Sequence, residues 1–453
     1  MRRIPDDEQA ERDCWSADLL TTTHEASSRF RVRPLAESIG VAWLMMAALI
    51  LVTANEVAIP LDFVLRPLAI ALIPSIVIGL LVSPLGQLRV PAAAGLSILV
   101  LTPALWPAIV ALAAVELATW WLQRWPRLAR GYSVGRFTLV ATLVVAMVST
   151  IRLAPLATDY LPTAYGSAGS SGPPIYLVLV DGYPRLDSLA QIGIDNTGFV
   201  AELEARGFDH YPTATSSHQW THLTLQALMA GDPEGIPDDP GSRDEGRTIR
   251  ASLQLPSGYV AIDPPVGHVV MRGGAQVSAG GINDFEIGLI GASMVGALAP
   301  QAVAPLIADG LRFQFERSLE LMVASSSSHT FVHVLPPHPP FIYADGISAC
   351  WPRCSIFDVT AKGLGISKAE WGEQMDVQLH AVNAMLLEAA DKILAERSDA
   401  VIVLFSDHGG RMSLPGDEVH HSFLAARTPG NTRLFDNEPH PHAVLRVISE
   451  AYP

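Results

Sequence analysis

The stretch Val401-Ile-Val-Leu-Phe-Ser-Asp407-His408-Gly409-Gly410 is an unbroken apolar, β-branched run that stops at an acid, an imidazole and two glycines. Such a run reads as a strand buried on both faces of a parallel sheet. Ligands of open α/β sheets bind outside the carboxyl ends of the strands, which puts the polar tip where chemistry belongs. Asp407 and His408 each offer a lone pair there, and the glycines let the backbone turn away, a combination that suits a divalent cation. Alone, an Asp-His-Gly also reads as a strand running into a solvated turn. A second stretch, Ile175-Tyr-Leu-Val-Leu-Val180 into Asp181-Gly182-Tyr183, repeats the same grammar. Together the two ends offer two carboxylates and a histidine to one edge of a sheet.

Around these strands the composition is uneven. The chain has 453 residues, 49% of them hydrophobic, and the apolar excess lies between Ser38 and Leu153, in runs of the ~20 residues that cross a bilayer. Helices are expected over Ser38–Ala54 and Val64–Val82, with two short crossings between Val90 and Leu122 hinged near Pro103 and Pro107, and a last one over Phe137–Ile151. Arg124, Arg127, Arg130 and Arg136 crowd one short loop, which places that loop and the N-terminus on the cytoplasmic side of about five crossings. No cleavable signal is read before the first run, so it is expected to stay as an anchor. The expected organisation is a cytoplasmic tail over 1–36, a helical membrane domain over 37–156, a linker rich in Ala, Gly, Ser and Pro over 157–173, and an α/β domain over 174–453 outside the cytoplasmic membrane. The net charge of −15 argues against nucleic acid as a partner, since phosphate backbones need a basic footprint. Cys350 and Cys354 fall in the exported part, where a small disulfide loop is permitted; a two-cysteine metal corner lacks the second pair that tetrahedral zinc needs.

Three further stretches bear chemistry. In Ser216-Ser-His218-Gln-Trp-Thr221-His222-Leu-Thr, hydroxyls crowd the start of a helical run that ends at Gly231. A hydroxyl there meets the positive end of the helix dipole and unsatisfied N–H groups; it also reads as an ordinary N-cap. The strand Thr330-Phe-Val-His333-Val-Leu runs into Pro336-Pro-His338-Pro-Pro-Phe341, where prolines on both sides hold a histidine rigidly, while His333 reads as a packed or edge residue. Beyond the Asp407 strand, His420 and His421 add two imidazoles that read equally as a solvated loop pair.

Taken in order, Leu-Val-Asp181-Gly182, Thr221 with Leu223–Leu228, Pro337-His338-Pro-Pro-Phe341 and Phe405-Ser-Asp407-His408-Gly409 resemble the motifs of the alkaline phosphatase superfamily, in its membrane-anchored, sulfatase-like branch of lipoteichoic acid synthases and phosphoethanolamine transferases. The resemblance implies an α/β fold with a largely parallel central sheet covered by helices behind a helical anchor. It implies Asp181, Asp407 and His408 as ligands of one divalent ion (Mn, Zn or Mg), Thr221 as the nucleophile that also touches the metal, and His338 as a contact to the transferring group. His218, His222, His420 and His421 are candidates to bind substrate. The implied activity is metal-dependent transfer or hydrolysis of phosphoryl-linked groups on a lipid or cell-envelope glycan, through a Thr-phosphoryl intermediate. A sulfate-ester hydrolase of the same fold and a catalytically silent membrane-anchored module are the alternatives. Neither exported cysteine sits in the Cys/Ser-x-Pro-x-Arg context of formylglycine sulfatases.

Overall fold

The computed structural model describes residues 34–54, 61–101, 172–236, 255, 258–263, 275–344, 360–410, 418–436 and 439–452. The chain forms two compact units, Met1–Glu56 with Val64–Ala154, and Val57–Phe63 with Pro155–Pro453. Cys350 and Cys354, the linker over 157–173, the arginine-rich loop and the crossings expected beyond Leu101 all lie outside the described residues.

In the first unit, α1 (Pro34–Ala54) starts four residues before the expected Ser38, at a proline that suits the first position of a helix. α2 (Leu61–Ile70), α3 (Leu72–Val82) and α4 (Arg89–Leu101) follow. Pro34–Ala54 and Val64–Leu85, of 21 and 22 residues, are long and apolar enough to cross a membrane. Among the described residues these are two such stretches. The helices approach closely where side chains are small: a Cβ on Gly79 would collide with Ile39. Trp43 Nε1 donates to the Leu68 carbonyl at 2.9 Å and Ser97 Oγ to that of Ala42 at 3.3 Å, the kind of polar tie that helps hold apolar helices together in lipid.

The second unit is built on a seven-stranded mixed sheet of order β2-β7-β6-β1-β5-β3-β4. Its strands are β1 (Ile175–Val180), β2 (Phe208–His210), β3 (Tyr259–Asp263), β4 (Ala275–Ser278), β5 (His329–Val334), β6 (Val401–Phe405) and β7 (Leu424–Arg427). The run β6-β1-β5-β3-β4 is parallel, while β7 and β2 close one edge antiparallel. The helices are α5 (Leu186–Gln191), α6 (Thr197–Ala205), α7 (Thr221–Ala230), α8 (Asp284–Ala292), α9 (Met294–Leu298), α10 (Pro300–Val323), α11 (Ala361–Leu364), α12 (Lys368–Glu396) and α13 (Val444–Ala451).

Strand period 2 sorts the core into two faces. Val178 and Val180 of β1 and Ile402 and Leu404 of β6 pack with Phe315 of α10 and Leu379 of α12. Ile175, Leu177 and Leu179 of β1 and Val403 and Phe405 of β6 pack on the opposite face, with Leu225 and Leu228 of α7 and Ile448 of α13. The hydroxyl-rich start of α7 therefore belongs to the odd-numbered face of the two strands whose ends carry Asp181 and Asp407.

Just past β1, Tyr183 turns back into the core. Its hydroxyl donates to Asn383 Oδ1 at 2.7 Å and accepts from Asn196 Nδ2 at 2.7 Å, and Asn383 Nδ2 donates to Asn196 Oδ1 at 2.7 Å. This closed ring of three buried side chains joins the β1 turn to α6 and α12. Burial pushes the Tyr183 phenol well above its ordinary value despite both amide bonds.

Asn383→Leu should break the ring and strand the Tyr183 hydroxyl and the Asn196 amide, costing about 1–3 kcal/mol of stability; denaturant unfolding monitored on the second unit reads this directly. Acid stability should also follow His210, which stacks on Phe423 at 5.5 Å with Nε2 buried and lacking a hydrogen bond. Burial lowers its pKa from 6.5 to about 4, so between those values the unfolded chain binds the proton and the native one does not. The stabilisation is fully present above 6.5 and is lost as pH falls toward 4. Unfolding midpoints across that window should slope less in His210→Phe, which keeps the stack; an unchanged slope would exclude His210 as its source.

Candidate metal centre

The parallel register brings three strand ends together. Val180 pairs with Val334 and Leu179 with Phe405, so Asp181, one residue past β1, lies between the end of β5 and Asp407 beyond β6. Asp181, Asp407 and His408 are buried, 3%, 0% and 2% exposed. One donor atom from each lies within 4.8 Å of the others, and among the described residues they are the one such group of His, Cys, Asp or Glu.

Protons decide what this arrangement can hold. Nδ1 of His408 donates to the Gly409 carbonyl at 2.7 Å, which leaves the lone pair on Nε2. That nitrogen is 3.4 Å from Asp407 Oδ2 and 3.7 Å from Asp181 Oδ1, and both of those oxygens are buried without a hydrogen bond. The other oxygen of each carboxylate is held from behind: the Gly182 N–H donates to Asp407 Oδ1 at 3.0 Å and His333 Nε2 to Asp181 Oδ2 at 3.2 Å. With the His408 ring neutral, three lone pairs thus face one point. Burying two carboxylates without a counter-charge costs several kcal/mol per ion, so the donor set fits a bound cation, and two oxygens with one imidazole suit a divalent one. Burial alone would push the Asp181 carboxyl up, yet the positive charge that His338, His333 and His408 carry when protonated, with the hydrogen bond from His333, holds it well below the usual carboxylate range.

The backbone around the site admits little substitution. Gly182 has φ +60°, and a Cβ there would stand 3.3 Å from both the His338 and the His408 rings. At Gly409 a Cβ would collide with the carbonyls of Glu418 and His421, and its N–H donates to the Val419 carbonyl at 2.7 Å. Ser406 ties both strand ends to the neighbouring segment. Its hydroxyl lies 2.9 Å from the carbonyls of Tyr183 and His408 and accepts from the Phe423 N–H at 3.0 Å.

The other sequence candidates occupy distinct places. His338 stands beside the group, its ring 6.3 Å from that of His408; its Nδ1 donates to the Pro339 carbonyl at 2.5 Å, and burial pulls its pKa down. Thr221 is the first residue of α7, and the residue before it, Trp220, has extended backbone and accepts at its carbonyl from the N–H groups of Leu223 and Thr224. The loop leading into α7 is clasped to the segment after β6: the Ser216 N–H donates to the His420 carbonyl at 2.7 Å, and His420 Nδ1 to the Ser216 carbonyl at 2.9 Å. His421 Nδ1 lies 3.0 Å from Ser188 Oγ. His218 is buried in the same loop, its carbonyl bonded by Ser216 Oγ at 2.8 Å, and the His222 ring lies 6.4 Å from Trp220.

His333, which the sequence alone presents as a packed or edge residue, is fully buried in the central strand β5 and is also the hydrogen-bond partner of Asp181. The signal was its position opposite Leu179, visible only once β5 is known to pair with β1.

No protein-family model matches the chain, and no curated protein matches it. Solved structures do. The chain is similar to the C-terminal periplasmic domain of EcEptC from Escherichia coli in complex with Zn (13% identity, 64% of this chain and 85% of that one, TM-score 0.37). It is similar to the integral membrane lipooligosaccharide phosphoethanolamine transferase A of Neisseria meningitidis (12% identity, 84% and 75%, TM-score 0.35). It is also similar to the phosphonate monoester hydrolase of Agrobacterium radiobacter (12% identity, 62% and 73%, TM-score 0.38). At these overlaps the chemistry rests on the residues of this chain alone.

Metal analysis should show that His408→Ala and Asp407→Ala lose the bound divalent ion. His333→Phe should retain it with affinity lower by about 10–100-fold, the usual penalty for losing the group that orients a ligand, and His333→Gln, which keeps a donor, should recover part of that loss. Chelator competition separates these outcomes; unchanged affinity in Asp407→Ala would remove the site.

Proposed function

We propose that the chain is a membrane-bound, metal-dependent enzyme that transfers or hydrolyses phosphoryl-linked groups of lipid or cell-envelope glycan substrates outside the cytoplasmic membrane, with Thr221 as nucleophile. The observation that carries this reading is the convergence of the lone pairs of Asp181, Asp407 and His408 on one buried point. The two membrane-length apolar stretches support the membrane assignment, and the arginine-rich loop after them supports the orientation.

Asp181, Asp407 and His408 would hold a divalent ion, which would lower the pKa of a nearby hydroxyl and screen the charge of the transferring group. Thr221 supplies the hydroxyl. It opens a ten-residue helix packed on the same sheet face as β1 and β6, and a helix N-terminus favours both an anionic nucleophile and a bound phosphate. Its oxygen attacks phosphorus, the bond to the leaving oxygen breaks, and water or an acceptor hydroxyl then displaces threonine. His338, with Nδ1 committed to Pro339, has Nε2 left to exchange a proton with the substrate; its lowered pKa keeps it neutral and able to accept one.

Thr221→Ala should keep the metal and lose the covalent phosphoryl adduct, Thr221→Ser should keep both, and His338→Ala should keep metal and adduct but turn over slowly. Single-turnover labelling with a nitrophenyl phosphodiester, read by mass spectrometry beside metal content, tests this. An adduct in Thr221→Ala would move the nucleophile to Ser217 or Thr224.

A further inference from the structure

The outer face of α10 breaks the rule that a surface helix alternates an apolar and a charged face. From the end of α9 through the first half of α10, Ala297 to Phe313, the exposed positions are Leu298 (75% exposed), Leu306 (69%) and Phe313 (53%), with Ala297, Ala299, Gln301, Ala302, Pro305 and one acid, Asp309. Asp309 is itself paired with Arg312 at 2.6 Å. Over the next turns the exposed positions are Glu316, Arg317 and Glu320. The inward face of the same stretch is apolar as well, with Val303, Ala304, Ile307, Ala308 and Leu311 in a buried cluster, so this half of the helix carries little charge beyond the Asp309–Arg312 pair.

The charge-poor half is the half nearest the metal centre. α10 leads through a short turn into β5 and runs antiparallel to it, so its N-terminus stands at the carboxyl end of the strands. The buried cluster beneath it includes Leu335 and Ile342, which flank the His338 loop, and Arg312 Nε donates to the Ile342 carbonyl at 2.7 Å. Two membrane-length helices in the same chain hold the unit within reach of a bilayer. With a net charge of −15, a surface meant for an anionic interface is better stripped of charge than acidic.

We propose that the face from Leu298 to Phe313 rests on the lipid bilayer and brings the mouth of the metal centre to the level of lipid headgroups. The occupant is the interfacial zone of the membrane, which takes scattered Leu and Phe side chains on a charge-poor helix. The functional consequence, a substrate whose reacting group lies at the bilayer surface, rests on the reading above; the contact itself does not.

The test uses the full chain reconstituted in phosphatidylcholine vesicles, with a diazirine amino acid placed at Leu306, at Phe313 or, as controls, at the exposed Glu320 and Lys392. Lipid adducts on peptides carrying positions 306 and 313, and none at 320 and 392, are expected on illumination. Adducts between two copies of the chain, adducts to other parts of the same chain, or lipid adducts at all four positions would overturn the proposal. The double variant Leu306→Glu with Phe313→Glu should lose the turnover of a vesicle-embedded phosphodiester while keeping that of a soluble one. If neither substrate turns over in the unmodified chain, the enzymatic reading fails, and the lipid adducts still decide the contact.

Discussion

Two buried carboxylates and one imidazole nitrogen that face a common point set the terms for the rest of this structure. Each of the three is aimed by something behind it: the Gly182 N–H on Asp407, His333 on Asp181, the Gly409 carbonyl on His408. Satisfying only the rear atom of each group leaves its front atom committed to the shared point. That is a costly arrangement for a fold to keep empty-handed, because desolvation is spent whether or not a cation repays it. The parallel sheet makes it possible, since only there do neighbouring strand ends deliver side chains to the same edge in register.

The supporting parts follow from that demand. Positive φ at Gly182 turns the chain so that its N–H reaches Asp407 and leaves room for two imidazole rings that any side chain would push aside. Ser406 sits one residue before Asp407 and bonds toward both strand ends, so the carboxylate cannot drift relative to β1. Further out, Tyr183 carries the turn into the ring with Asn196 and Asn383. A fully satisfied buried polar ring fixes one geometry, since any shift strands a donor.

Much of this was legible in the residues, and what was not has physical reasons. The strands β1, β5 and β6 announce themselves as apolar runs and the helix α12 as an amphipathic repeat, and the acid-glycine grammar at two strand ends singles out Asp181, Asp407 and His408. Local pattern carries that information. Register does not appear in a local pattern, so His333 looked like packing until its pairing opposite Leu179 was known. The antiparallel edge was equally silent: Leu424–Arg427 is four residues long and Phe208–His210 three, too short for any period to show. The capping box of Asn283 and Glu286 was present in the sequence as an Asn followed three residues later by Glu, and went unread among glycines. The ring of Tyr183, Asn196 and Asn383 joins residues nearly 200 positions apart, and nothing in their neighbours marks them as partners.

The two faces of the sheet divide the labour. Long helices α10 and α12 cover the even-numbered face of β1 and β6 with large side chains such as Phe315 and Leu379. The odd-numbered face is covered by the short helices α7 and α13, and it ends in the acids. α7 is fixed from below by Leu225 and Leu228 in the core, and from in front by the reciprocal bonds between Ser216 and His420. The segment that bears His420 is bonded in turn to Gly409, two residues past Asp407. Two backbone hydrogen bonds, from the Gly409 N–H to the Val419 carbonyl and from the Ser216 N–H to the His420 carbonyl, therefore tie the segment just past Asp407 to the loop that leads into α7. The loop before α7 and the segment after β6 thus support each other through their backbones, the kind of shell that holds side chains in a fixed geometry.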